Sequence, residues 1–427
     1  MVAELSLALF LLTGCSPKAP TNDPELARFL KARETQARGL VQQNGLKMPA
    51  QAWSLFDYLQ TDKWSNATNA FAQLQGQSGR SGVPVPPSPL QAVIGTIQQA
   101  GQKIGLPPPK SSALQDTPWH AIVDAHWAYV LSKTWRGEPL GLITKEILNA
   151  VPPGAIFFGD SDPGRFAMSR VMESLDSDKR FYVITQNQLA DYSYWAYADF
   201  LSGTNITMPG ADDFNAVYSQ YLTGAYGTGR VAVAAMNAEF SELIFHKNPG
   251  HRVYMESSWF LPKWAYDRCL PRGPVFEISR QPVPRLEEAS LEDDRAFWSA
   301  VCKKLLGDVI GRGTSVGDVC EFVEARYLRS DMSAFKGHHN YVSDTLAQNW
   351  FGMARHTTAA LYQWRCIQAK VNEEKQRMLD ESMLAYKQTF ALSPLTSMDF
   401  CDLLSQVGRT NEATRILSVR EKIAARR

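Results

Sequence analysis

The sequence lacks an excess of charge of either sign: 44 Lys and Arg residues stand against 43 Asp and Glu residues, a net charge of +1. A balanced charge gives no support for nucleic acid or an anionic membrane surface as an electrostatic partner, and we expect no nucleic-acid binding. No Cys-x-x-Cys pair occurs among the six cysteines, so a zinc ribbon or a dithiol redox centre is unsupported. The apolar run Leu5 to Leu12 is too short to span a bilayer.

That run has the features of a secretion signal, because small residues and Cys15 follow it directly. The ending "LTGC" resembles a bacterial lipoprotein signal, in which the cysteine becomes the lipidated first residue. The resemblance implies an exported envelope protein in the periplasm, held at the membrane by its lipid anchor only. Ser16 after the cysteine implies outer-membrane sorting. "MVAE" lacks the basic residue usual before such a run, and the alternative is a buried N-terminal helix with a core cysteine.

Composition divides the rest of the chain into a helical segment with linkers, an α/β domain and a helical domain. With the signal segment first, the predicted bounds are 1–15, 16–115, 116–285 and 286–427. Gly, Ser and Pro cluster in the predicted linkers at 76–90 and 105–112.

Four short apolar or β-branched runs indicate strands: "AIFFGD", "RFYVITQ", "HRVYMESS" and "PVFEISR". Helical material separates each run from the next. Alternation of this kind predicts an α/β fold with a central, mostly parallel sheet of three or four strands. Helical N-terminal and C-terminal segments flank this sheet in the chain.

The segment 380–425 resembles a tetratricopeptide repeat, with Phe390 and Pro394 near the end of one helix and Gly408 ending the next. The resemblance implies closely paired helices that bind a protein partner on their surface. The alternative is an ordinary helical hairpin.

The stretch "GDSDPGRF", residues 159–166, carries the main candidate site. Asp162 before Pro163 predicts an N-cap, because Asp accepts backbone N–H bonds there and Pro suits the first helical position. Asp160 and Arg165 are not needed for capping. They follow the first predicted strand, at the sheet edge where open α/β folds bind ligands. Gly164 and Arg165 at a helix start can hold an anion.

Three interpretations of this stretch stay open. Asp160 and Asp162 would hold a divalent cation together with a phosphate or a sugar. Alternatively, the carboxylates and Arg165 would hold a polar sugar without any cofactor. In the third interpretation the stretch is only a capped turn with an Asp160–Arg165 ion pair.

Polar side chains also follow the second predicted strand and end the third. In a parallel sheet these groups meet at the edge that carries Asp160. The ligand-binding candidates are Asp160, Asp162, Gly164, Arg165, Asn187, Asp191 and Glu256.

Three stretches of the α/β region resemble a known family: "PPGAIFFGDSDPGRF", "RFYVITQNQLADYSYWAYADFL" and "HRVYMESSWF" with "GPVFEIS". They are similar to the soluble domain that follows the membrane helices of bacterial protein O-mannosyltransferase-like glycosyltransferases. The resemblance implies the fold and an envelope location. It implies little about sugar transfer, because that machinery lies in a multi-spanning membrane part that this sequence lacks. The matching positions are Gly159, Asp160, Asp162, Asn187, Leu189, Tyr194, Tyr254, Gly273 and Phe276.

Two functions follow from these features. The first is a non-enzymatic lipoprotein that binds or scaffolds through helical-repeat surfaces and an α/β cleft. Its partners would be a protein on the C-terminal helices and a glycan or another anionic ligand. The second is an envelope enzyme that processes glycans or phosphosugars at Asp160 and Asp162. We favour the first, because no catalytic set can be nominated from the sequence.

Overall fold

The computed structural model describes residues 23–78, 116–135, 138–227, 229–258, 261–307 and 310–426. The signal segment with Cys15 and most of the two predicted linkers lie outside these ranges. Residues 76–78, predicted to begin a linker, are instead the last residues of the helix Trp64–Ser78.

The described residues form two compact units. The first unit contains the described residues up to 135, together with Ser169–Leu175 and Asp191–Tyr197. The second unit contains the remaining described residues.

The first unit is helical. Its helices are α1 (Pro24–Gln43), α2 (Ala50–Gln60), α3 (Trp64–Ser78) and α4 (Pro118–Thr134). α1 packs against α4, and α2 packs against α3. Asp23 caps α1 by accepting the backbone N–H groups of its first turn. The buried guanidinium of Arg33 lies 3.6 Å from Asp124 and 3.2 Å from Glu173, so an ion-pair cluster accompanies the apolar core.

The second unit is built on a five-stranded sheet. Its strands are β1 (Ile156–Gly159), β2 (Tyr182–Thr185), β3 (Val253–Glu256), β4 (Cys269–Arg272) and β5 (Val275–Ile278). They lie in the order β2-β1-β3-β5-β4. β1 is parallel to β2 and β3, and β5 is antiparallel to β3 and β4. All four residues of β1 are buried, as expected for a central strand.

The mixed α/β architecture with helical segments is confirmed, whereas the mostly parallel sheet of three or four strands is wrong in detail. β4 lies in a stretch for which no strand was predicted. Only Gly273 and Pro274 separate it from β5, and so short a turn joins antiparallel strands. A parallel β5 would need a long crossover, usually a helix, and the described part of the chain between β3 and β4 has only the short turn Lys263–Ala265.

Helices α6 (Met168–Ser174) and α7 (Tyr192–Ser202) have residues in both units. The helices of the second unit alone are α5 (Glu138–Ala150), α8 (Ala211–Leu222), α9 (Gly229–Lys247), α10 (Glu288–Leu306), α11 (Val316–Val323), α12 (Thr345–Gln368), α13 (Asn372–Leu392), α14 (Met398–Gln406) and α15 (Thr410–Arg426).

The C-terminal part of the second unit is helical, and α12 and α13 form its most extensive helix pair. Gly352 allows α12 to lie close to Ser393, the residue after α13, because a Cβ atom at position 352 would lie 2.2 Å from the Cβ of Ser393. A buried ion pair of 2.7 Å joins Arg355 on α12 to Asp294 on α10. α14 packs against α15, and the tetratricopeptide character of this hairpin stays a prediction.

Five cysteines are described, and all are free and buried: Cys269, Cys302, Cys320, Cys366 and Cys401. They behave as small core side chains. Among the described residues, none of the helices combines the length and the hydrophobicity needed to cross a bilayer.

Candidate functional site

Glu256, the last residue of β3, holds the turn that follows β1. Its Oε2 accepts the backbone N–H groups of Asp160 at 2.9 Å and Ser161 at 3.0 Å. Its Oε1 accepts the Ser161 hydroxyl, the Ser258 hydroxyl at 2.6 Å and the indole N–H of Trp350 at 2.7 Å. The residue is only 4% exposed. Five donors occupy its two oxygens, which leaves this buried carboxylate little capacity for a ligand.

Two glycines allow the turn to come this close to the carboxylate. A Cβ atom on Gly164 would lie 2.0 Å from Oε2 of Glu256. A Cβ atom on Gly159 would lie 2.3 Å from the carbonyl oxygen of Gly164. Both positions therefore exclude any side chain, because real contacts are never so short.

The predicted N-cap at Asp162 is wrong. The turn Pro163–Ala167 is π-helical and runs into α6, and Asp162 already has helical backbone angles, φ −56° and ψ −41°. In that conformation its side chain makes no capping bond, since N-cap residues normally have extended backbone angles. The hydroxyl of Ser161 accepts the N–H of Gly164 instead, at 3.1 Å.

Asp160 points into the protein. It is 7% exposed, and its Oδ1 accepts the backbone N–H of Asn187 at 2.7 Å. Burial raises the pKa of Asp160 to about 8; the charge of Glu256 also raises it, while the Asn187 N–H and Arg165 lower it. The carboxyl is therefore largely protonated at neutral pH.

Asp162 and Arg165 differ in burial, since Asp162 is exposed and Arg165 is partly buried. Protein atoms crowd the Asp162 carboxyl and raise its pKa, with Arg165 acting in the opposite direction. The residue as a whole is nevertheless exposed. The guanidinium of Arg165 lies over the Phe166 ring, 4.4 Å from its centroid.

The structure thus brings Asp160, Asn187 and Glu256 together, in a buried network. Asp191 belongs to the first unit, where its carboxylate accepts the N–H and hydroxyl of Ser193 at 3.0 and 2.8 Å. Within the described ranges, no three His, Cys, Asp or Glu side chains are grouped as metal ligands, and the cation interpretation gains no support.

Sequence reasoning missed three partners of Glu256: Ser161, Ser258 and Trp350. Ser161 lies between the two aspartates, and Ser258 follows Glu256 by two positions, so both were within reach of inspection. Trp350 lies 94 positions from Glu256 on α12, and nothing in its local pattern indicates the contact.

A second candidate site lies among the C-terminal helices, and none of its residues stood out in the sequence. It is a cleft of about 370 Å³ between the turn that precedes α11, one face of α13 and the turn between α14 and α15. Its charged lining residues are Arg312, Asp380, Lys387 and Arg409, and Val316 and Met383 supply apolar surface.

Lys387 forms the fixed centre of this cleft. Its side chain is buried, and Nζ donates to the carbonyl oxygens of Gly311 at 3.1 Å, Arg312 at 2.9 Å and Thr314 at 2.7 Å. Burial lowers the pKa of Lys387, and the positive charge of Arg409 lowers it further. The ammonium therefore holds the turn in place while adding charge to the cleft.

Each of the two arginines of the cleft pairs with one carboxylate. Arg312 donates to the buried carboxylate of Glu381, which Arg295 also contacts at 2.7 Å. Arg409 donates to Glu412 at 2.8 Å. Both arginines are exposed, so their guanidinium groups are accessible to a ligand.

No family model matches the chain, and the searches of curated proteins and of solved structures found no significant match. The fold itself defines the class: an α/β protein with a small mixed sheet and extensive helical segments. The glycosyltransferase-like resemblance stays a prediction.

Proposed function

We propose that this chain is a non-enzymatic binding protein of the bacterial cell envelope, anchored by a lipid on Cys15. Its C-terminal helical region binds an anionic ligand. An acidic segment of a partner protein is one member of this class of ligands. The observation that carries the proposal is the cleft at Arg312, Lys387 and Arg409.

The cleft concentrates positive charge in a partly enclosed space. Three cations and one carboxylate line it. Arg312 also pairs with Glu381 and Arg409 with Glu412, but neither carboxylate lines the cleft, so the lining itself carries two more positive than negative charges. A cleft with low-dielectric walls strengthens the attraction of such a group for an anion.

The hydrogen bonds of Glu256 at the strand ends also favour the C-terminal cleft as the binding site. A reactive or metal-holding carboxylate needs oxygen lone pairs directed at its ligand. Glu256 directs its oxygens at five donors of the protein itself. The lone pairs of Glu256 are therefore used within the fold, whereas Arg312 and Arg409 at the cleft are exposed.

The test is thermal unfolding of the full chain with a panel of anions: phosphate, an acidic peptide and a uronic-acid oligosaccharide. At least one should raise the Tm of the parent protein and of Arg272→Gln, but not of Arg409→Gln. Arg272 is a matched control, since its side chain is 38% exposed against 44% for Arg409 and it pairs with Glu277 on the sheet, outside the cleft lining. If no anion in the panel stabilises the parent, or if Arg409→Gln responds equally, the proposal is wrong.

One observation favours the second candidate, an envelope enzyme at the strand ends. The raised pKa of Asp160, about 8, is the kind that suits a general acid at neutral pH. The test is hydrolysis of chromogenic glycosides and sugar phosphates by the parent and by Asp160→Asn. The enzyme is favoured if the parent hydrolyses a substrate and the Asp160→Asn variant is folded but inactive. Equal rates for the two proteins would exclude Asp160 as the general acid.

A further inference from the structure

The cleft at Arg312, Lys387 and Arg409 has room for more than a single small ion. Its volume of about 370 Å³ falls in the range of pockets that hold small organic ligands, roughly 300–1,000 Å³. Beside the cations, Val316 and Met383 offer apolar surface and Asp380 offers a carboxylate.

The cations divide into one that supplies charge and two that supply hydrogen bonds. Lys387 uses its three N–H donors on the carbonyls of the turn. It therefore contributes positive charge to the cleft but no hydrogen bond to a ligand. A guanidinium has five N–H donors, and Arg312 and Arg409 each spend donors on one carboxylate partner. Their remaining donors form planar forks that match the oxygens of a phosphate.

Asp380 selects against a ligand that carries several negative groups. It is exposed on α13, and its Oδ1 accepts the amide of Gln376 at 2.8 Å. A chain of carboxylates, such as an acidic peptide, would bring like charge against it. A hydroxyl group, in contrast, can donate to its oxygens.

We propose that this cleft binds a phosphate monoester of a small polyhydroxylated molecule, of which a sugar phosphate is the simplest kind. The phosphate lies at Arg312 and Arg409, the hydroxyl groups face Asp380, and the carbon skeleton contacts Met383. This inference rests on the proposed function, because it names the class of anion for the same cleft.

The experiment is isothermal titration of the full chain with four probes: glucose 6-phosphate, glucose, inorganic phosphate and a hexaglutamate peptide. Glucose 6-phosphate should bind, glucose should give no heat, and inorganic phosphate should bind at least about tenfold more weakly. Arg409→Gln should weaken glucose 6-phosphate binding about tenfold or more, and Arg272→Gln should leave it within about twofold. Arg409 is chosen over Arg312 because Arg312 pairs with the buried Glu381 and its loss would disturb the core.

Asp380→Ala tests the hydroxyl contact separately. It should reduce the preference for glucose 6-phosphate over inorganic phosphate while leaving binding of inorganic phosphate intact or stronger. An unchanged preference would overturn the role of Asp380.

The outcomes separate this inference from the proposed function. If hexaglutamate binds with dependence on Arg409 and glucose 6-phosphate does not, the phosphate-ester inference is wrong and the binding function stands. If glucose 6-phosphate binds no better than inorganic phosphate, the inference is also wrong. If none of the probes gives heat and no anion in the thermal panel stabilises the chain, both proposals fail.

Discussion

The backbone N–H of Ser161 donates to the carboxylate of Glu256 over 3.0 Å, and this bond joins the ends of the parallel neighbours β1 and β3. The Asp-x-Asp stretch is therefore held from within by a third carboxylate. Glu256 and the backbone N–H groups of Asp160 and Ser161 form a buried structural network in this fold.

Glu256→Gln should lower the free energy of unfolding by about 3 kcal/mol, because the new amide NH₂ group must face donors that have no acceptor left. Neither a backbone N–H nor the Trp350 indole can reverse its role. Urea unfolding measures the loss. The control is Glu321→Gln on α11, where the exposed carboxylate pairs with Arg415 at 3.3 Å and the change should stay within about 1 kcal/mol. Equal losses for the two variants would show that Glu256 is not a special anchor.

Gly164→Ala should destabilise the protein by about 2 to 3 kcal/mol, since the added methyl group would meet Glu256 at 2.0 Å and the carboxylate cannot move without losing its donors. Gly141→Ala is the matched control. Gly141 lies in α5 with nothing within 4 Å of an added Cβ, so alanine should stabilise the helix by about 0.5 to 1 kcal/mol. Opposite signs are expected in the same unfolding assay, and a neutral Gly164→Ala would contradict the close packing.

Asp160→Asn should change how stability depends on pH. The folded-state pKa of Asp160 is about 8 against an ordinary 3.8, so folding favours the protonated carboxyl. Its stabilising contribution is complete below pH 4 and is lost as the pH rises toward 8. Asparagine cannot ionise and can still accept the Asn187 N–H. The variant should therefore gain stability over the parent by about 1 kcal/mol per pH unit in that window.

The measurement is urea unfolding of both proteins at several pH values between 4 and 8. All other titrating groups are shared, so their effects cancel in the difference. A constant difference across the window would show that Asp160 is ionised in the folded state.

Cys15→Ser should release the protein from the membrane fraction if export and lipidation occur as proposed. The reason is that the lipid anchor is the proposed membrane attachment, and a serine cannot form the thioether that carries the lipid. Ser16→Ala keeps the cysteine and should stay with the membrane, which makes it the control. Identical fractionation of Cys15→Ser and the parent would contradict the lipoprotein proposal.

Local patterns were sufficient for much of the fold. The runs that became β1, β2, β3 and β5 are short, apolar and bounded by turn residues, and the intervening helical stretches carry their own periodicity. Because β1, β2 and β3 are parallel, their carboxyl ends meet at one edge, which is why Asp160, Asn187 and Glu256 were expected together from sequence alone.

Only the tertiary structure decided which hydrogen bonds the side chains at that edge make. One of the five donors to Glu256 is the indole of Trp350 on α12, which lies 94 positions away in the sequence. No local pattern predicts such a contact. The same holds for the cleft, where Arg312, Lys387 and Arg409 come together from nearly a hundred positions of sequence through the packing of α11, α13 and α15. The sequence by itself determined four of the five strands and the parallel core, since these follow from periodicity and chain connection, whereas β4 carries no such pattern and was missed. Burial, hydrogen-bond saturation and the concentration of charge depend on long-range packing, and they became visible only in the folded chain.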